Sequence, residues 1–139
     1  ESLGNYGWWS SSLEDVTTRA CLFDDEYIIS ADGTFANVLG SETWLEDSWQ
    51  AGPTGEECGA PIAPHDGTNP STWAITTNTF TVSGLGAFLG LAKVHNGGED
   101  GNPDNNPIVY SYTLSEDGQS LDLTAAIPWG VWHFKMVKQ

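Results

Sequence analysis

The sequence predicts an all-β domain: an antiparallel β-sandwich of jelly-roll type with long loops or, alternatively, an up-and-down lipocalin-like barrel. Three observations carry this. Short apolar stretches alternate with a period of two, sixteen glycines and seven prolines punctuate them, and seven tryptophans accompany five phenylalanines and four tyrosines. Alternation marks strands with one buried face, and Gly, Pro and Asn supply the turns between them. So many aromatic rings argue against a chain kept unfolded by its charge. The 139 residues, read as one module over 1–139, need no second domain, and no linker or internal repeat divides them. The chain begins at Glu1 rather than Met, so it is expected to be a mature or excised segment of a larger multimodular protein.

The elements follow in order. A short helical piece is expected after Ser12, with Glu14 and Asp15 in its first turn, where carboxylates favour the helix dipole. Cys21, Phe23, Asp25, Tyr27 and Ile29 alternate along one face, and Asp32-Gly33 then turns the chain into 34–39, a hairpin. Residues 73–75 and 80–82 flank Thr77-Asn78 as a second hairpin. The apolar run 87–94 carries Gly90, which predicts a bulge or the close approach of another backbone. The last third reads as a three-strand antiparallel meander: Ile108 to Leu114, Leu121 to Ile127, and Trp132 to Met136, with turns at 116–118 and 128–130. Loops 46–70 and 95–107 exceed what a meander needs, and such loops are uncommon unless functional.

Nineteen acidic against four basic side chains give a net charge of −15, with 13 of the acids in residues 1–66 against Arg19 alone. That balance excludes nucleic acid and direct contact with an anionic membrane as expected partners. No apolar run approaches the roughly 18 residues of a membrane span. A secreted or cell-surface location fits, and there Cys21 and Cys58 are expected to form a disulfide worth about 3–4 kcal/mol. Two separate buried thiols are the alternative.

Several constellations could carry chemistry. Trp8 and Trp9 are neighbours, so on a strand at most one would point inward. Trp73 and Trp132 alternate with core positions and are explained by packing. Trp44 and Trp49 bracket the acidic turn Glu46-Asp47, and Trp129 stands in the 128–130 turn. An indole on a loop gains from being covered, either by satellite packing or by a sugar ring whose C–H face lies on it. His65 and Asp66, at the tip of a Pro-stiffened loop, offer a donor and an acceptor, or simply a turn. Asp100, Asn102 and Asp104 have the one-three-five oxygen spacing of a calcium loop but lack its later Gly and Glu. Asp24 and Asp25, beside Glu26, form a second oxygen cluster, and a carboxylate on the apolar face at Asp25 needs a partner. Zinc-ligand spacing, a Gly-x-Ser-x-Gly elbow, a phosphate loop and the paired-carboxylate strand pattern of family 16 β-glucanases are all missing, so no enzyme is expected.

The stretches FDDEYIISADGTFANVLGSETWLE, CGAPIAPHDGTNPSTW, GLGAFLGLAKVHNGGE and VWHFK, spanning roughly residues 8 to 138, together resemble a non-catalytic module of secreted bacterial proteins. Such modules accompany family 16 β-glucan hydrolases and surface glycan-binding proteins of marine polysaccharide degraders. The resemblance implies a β-sandwich carbohydrate-binding module for laminarin, a β-1,3-glucan with β-1,6 branches, joined to other domains of a parent hydrolase or surface glycan-binding protein, with room for structural calcium. The binding residues come from the residue-level reading instead: a cleft of Trp44, Trp49 and Trp129 with His65 and Asp66. The rivals are a lipocalin-like binder of a small apolar ligand, an adhesion or spacer domain, and a small glycoside hydrolase.

Overall fold

The computed structural model describes residues 7–47, 50, 55–102 and 104–139. Two one-turn helices, α1 (Asp15–Thr18) and α2 (Ala20–Phe23), lead into strands β1 (Glu26–Ile29), β2 (Thr34–Val38), β3 (Thr43–Leu45) and β4 (Glu57–Gly59). Then come β5 (Ser71–Ile75), β6 (Thr79–Ser83), β7 (Val94–His95), β8 (Gly98–Glu99), β9 (Ile108–Leu114), β10 (Ser120–Ile127) and β11 (Gly130–Val137). Seven of them form one antiparallel sheet in the order β1-β2-β5-β6-β9-β10-β11, while β3-β4 and β7-β8 form two small ribbons. The all-β antiparallel class is therefore as expected. Within it, every strand of the large sheet pairs with its next sheet neighbour along the chain, which is the order of the up-and-down alternative. The two long loops are where the ribbons are inserted.

Both predicted hairpins and the meander are present. The β1–β2 turn is held by Asp32, whose Oδ1 accepts from the Thr34 amide at 2.9 Å and the Thr34 hydroxyl at 2.7 Å. The β10–β11 register places Leu121 opposite Met136, Leu123 opposite Phe134 and Ala125 opposite Trp132. Opposed residues share a face, so all six point to the concave side. The α1 turn starts as expected after Ser12, whose amide and hydroxyl both donate to the Asp15 carboxylate, holding it below the usual carboxylate range.

Two elements differ from the sequence reading. Cys21 and Phe23 lie in helical turn α2, not at the head of β1, because the disulfide from Cys21 to Cys58 ties this turn to β4. The run 87–91 is neither strand nor bulge. It lies irregularly across the concave face and supplies the centre of the core: Ala87, Phe88, Leu89 and Leu91 are buried against Phe35, Phe80, Val82, Ile108, Tyr110 and Leu123. A buried irregular segment must satisfy its backbone groups without a ladder. Here side chains do so. The Tyr27 hydroxyl accepts from the Gly90 amide at 3.2 Å and donates to the Gly90 carbonyl at 3.1 Å. The Tyr110 hydroxyl treats Leu89 in the same way, at 3.0 and 3.4 Å. Asn37 Nδ2 donates to the Phe88 carbonyl, and His65 Nδ1 meets the Gly86 carbonyl. Burial pushes both tyrosines well above their ordinary range, so they stay neutral donors.

Candidate functional site

Strands β1 and β11 end the sheet order, so each has one edge without a strand partner among the described residues. The sheet curls until both line the same groove, an open seam of about 1160 Å³. The floor is Leu89–Leu91 from the interior run. The walls are Tyr27 and Ile29 from β1 and Trp132, Phe134 and Met136 from β11, with Trp9 above them. Trp8 and Trp129 stand on the rim, 79% and 63% exposed.

Trp132 is held on every side. Its ring stacks on Phe134 with centroids 6.1 Å apart and planes 5° from parallel, and Trp9 tilts against it at 6.1 Å. Lys93 Nζ lies 5.2 Å from the ring centroid, and the indole N–H donates to Glu99 Oε1. Trp129 leans over Gly98, where an added Cβ would stand 3.2 Å from its Cη2. Both indoles are thus set by the β7–β8 ribbon. Asn96 at the ribbon's tip locks it to the sheet: its amide accepts from the Val109 N–H at 2.7 Å and donates to the carbonyls of Val109 and Ala126.

A second feature backs this wall. Lys93 also pairs with the buried Glu46 at 3.0 Å, and Arg19 lies 5.0 Å from the Trp9 centroid and 4.1 Å from that of Trp44. Two of the chain's four Lys and Arg side chains therefore cover tryptophan faces, an arrangement that the ring quadrupole favours. Burial raises the Glu46 carboxyl above its usual range against the pull of Lys93.

Of the residues singled out from sequence, those described are not brought into one cleft. Trp129 reaches the groove rim. Trp44 is only 8% exposed, because β3 passes beneath Arg19 and the β3–β4 ribbon packs on α2, so it is a core ring and not a platform. His65 is 5% exposed and turned toward Gly86 and Phe88, and burial lowers its pKa. Asp66 closes a turn of its own through the Thr68 hydroxyl and amide, which hold its carboxyl low. Trp49 lies outside the described residues. Trp73 packs as expected, stacked 5.5 Å from Phe80, with its N–H on the Ser30 carbonyl.

In the segment 100–106 the described oxygens are engaged by the protein itself or face solvent. Asp100 is engaged with His95 Nε2 at 2.7 Å, the buried Asn102 amide turns both of its polar atoms onto the Asn106 backbone, and Asp104 is exposed. Asp24 is exposed, whereas Asp25 lines the groove with Oδ2 accepting from the Thr43 hydroxyl at 2.7 Å and Oδ1 buried without a partner. Burial, with Asp24 adding to it, pushes Asp25 up to about 7 despite the Thr43 hydrogen bond. Among the described residues, no three His, Cys, Asp or Glu side chains gather as a metal site.

Sequence reasoning missed the groove walls, because Trp132, Phe134 and Met136 alternate like ordinary core residues. The available signal was their position: the last strand of a meander is an edge, so its inward face has cover on one side only. Glu99 had no signal, since its role depends on the ribbon's docking. Comparison with known proteins adds nothing to this geometry: no protein family, curated protein or solved structure matches the chain.

Proposed function

We propose that this domain is a non-catalytic binding module for a neutral polysaccharide, with a β-1,3-glucan of the laminarin type as the leading ligand, and that the binding site is the seam between β1 and β11. The observation that carries the reading is the pair of exposed rim indoles, Trp8 and Trp129, over an aromatic-walled groove. Stacking surfaces with a few placed polar groups are the general form of a sugar site, and Glu99 supplies a carboxylate within it. A net charge of −15 favours an uncharged glycan over a sulfated or uronic one. The resemblance in sequence supports the same assignment and implies a secreted or surface protein.

Isothermal titration with laminarin and with charged polysaccharides tests this. Replacing Trp129 or Trp8 by Ala should cost about 1–3 kcal/mol of glucan affinity while leaving the thermal midpoint within the range of a surface change. Undiminished affinity after both replacements would remove the groove from the assignment. One observation favours a second reading. Leu89 and Leu91 in the floor, with Leu121 and Met136 beside them, make the groove apolar, and an up-and-down sheet around such a groove suits a small apolar ligand. Thermal stabilisation by fatty acids but not by glucans would select it.

A further inference from the structure

Resting on the glycan reading of the groove, we infer that Glu99 is the residue that sets ligand charge and grips a sugar hydroxyl. Glu99 lines the groove between the two indoles that the β7–β8 ribbon positions. Its Oε1 accepts from the Trp132 N–H, which holds the carboxylate at the edge of the indole. No donor among the described residues engages Oε2. A carboxylate is acceptor-only, with room for about four hydrogen bonds. Held this way it offers its second oxygen to a donor that stacks along the aromatic wall. A sugar hydroxyl is such a donor. A uronic or sulfated unit, or a fatty-acid head group, would bring a second negative charge to Glu99, while the lysines that also line the groove, Lys135 and Lys138, stand three and six residues along the chain from Trp132. In a partly desolvated groove that repulsion opposes the stacking gain. The ligand class is therefore an uncharged polyhydroxy chain. The ribbon acts as the selector: Gly98 carries the flat surface under Trp129 and Glu99 carries the charge.

The test compares a β-1,3-linked glucose hexasaccharide with a hexauronate of equal length, titrated against the wild-type domain, Glu99→Gln and Glu99→Asp. Glutamine keeps an oxygen for the Trp132 N–H but loses the charge. It should weaken neutral-sugar binding roughly ten-fold and narrow the neutral-over-acidic preference. Aspartate keeps the charge on a shorter stem, so it should lose neutral affinity yet still reject the acid. Equal binding of both sugars by the wild type, or wild-type affinity and preference in Glu99→Gln, overturns the inference. If Trp129→Ala loses the neutral sugar while Glu99→Gln keeps it, the glycan site stands and only the role of Glu99 falls. If the wild type binds neither sugar, both fall together.

Discussion

Replacing Gly90 by alanine tests the packing that creates the groove floor. Gly90 has φ +82°, and a Cβ built there would stand 2.3 Å from Phe134 Cδ1, 2.4 Å from Cε1 and 2.6 Å from Cγ. The left-handed backbone costs an L-residue roughly 1–2 kcal/mol. Three ring atoms lie inside contact distance, Cγ among them, so relief requires the Phe134 ring to swing into the groove or β11 to move. Such overpacking adds roughly 1–3 kcal/mol. Together Gly90→Ala should destabilise by about 2–5 kcal/mol, lowering the midpoint by roughly 6–15 °C for a chain of this length. Gly118→Ala is the control, with φ +67° and nothing within 4 Å of its Cβ, so it carries the backbone cost alone. Urea denaturation followed by circular dichroism reads both variants. The ring contact is then isolated by adding Phe134→Ala: the double variant should be more stable than the sum of the single losses predicts, by about 1 kcal/mol or more. Glucan affinity should fall in Gly90→Ala, because the added Cβ displaces a groove wall. Equal destabilisation of Gly90→Ala and Gly118→Ala, with additive behaviour in the double variant, refutes the reasoning.

Two further outcomes concern stability. Asp25 is raised to about 7 from an ordinary value of 3.8, chiefly by burial. The folded state therefore holds a proton that the unfolded chain releases, and this stabilising contribution is complete below the unfolded value and lost as pH rises through about 7. Asp25→Asn should flatten the fall in thermal midpoint between pH 5 and pH 8 and exceed wild type at pH 8; parallel curves for the two proteins would contradict the burial of this carboxyl. Reducing the Cys21–Cys58 bond, which closes a loop across 37 positions, should cost about 4 kcal/mol of stability on the chain-entropy estimate. A denaturation midpoint unchanged by reductant would show that α2 and β4 stay together without it.

The hairpins and the final meander were legible because their information is local. Asp32, Glu116–Gly118 and Thr77-Asn78 specify turns within a few residues, and the alternation of Leu121, Leu123 and Ala125 names a buried face without reference to any partner. The groove was not legible for the opposite reason. Trp132, Phe134 and Met136 show the same alternation as Leu123, and only the place of β11 at the end of the meander hints that it lacks a neighbour. Edge status belongs to the sheet as a whole. The run 87–94, expected to bulge or to meet another backbone at Gly90, gives no local sign that 87–91 crosses the core as an irregular segment. What decided this was a pair of tyrosine hydroxyls on β1 and β9, distant in sequence, that hydrogen-bond Leu89 and Gly90 in place of a ladder.

By itself, the sequence determined the all-β class, the available disulfide pair, the acidic surface and the stock of indole rings, because each is a property of composition or of short-range pattern. Tertiary structure decided which indoles meet solvent. Trp44 and Trp129 are both tryptophans near turns. One is roofed by Arg19 because α2 is tied to the β3–β4 ribbon, while the other stands at a seam that opens only because β1 and β11 do not pair. Exposure of a side chain is fixed by what the rest of the chain places over it, and that depends on contacts between residues tens of positions apart.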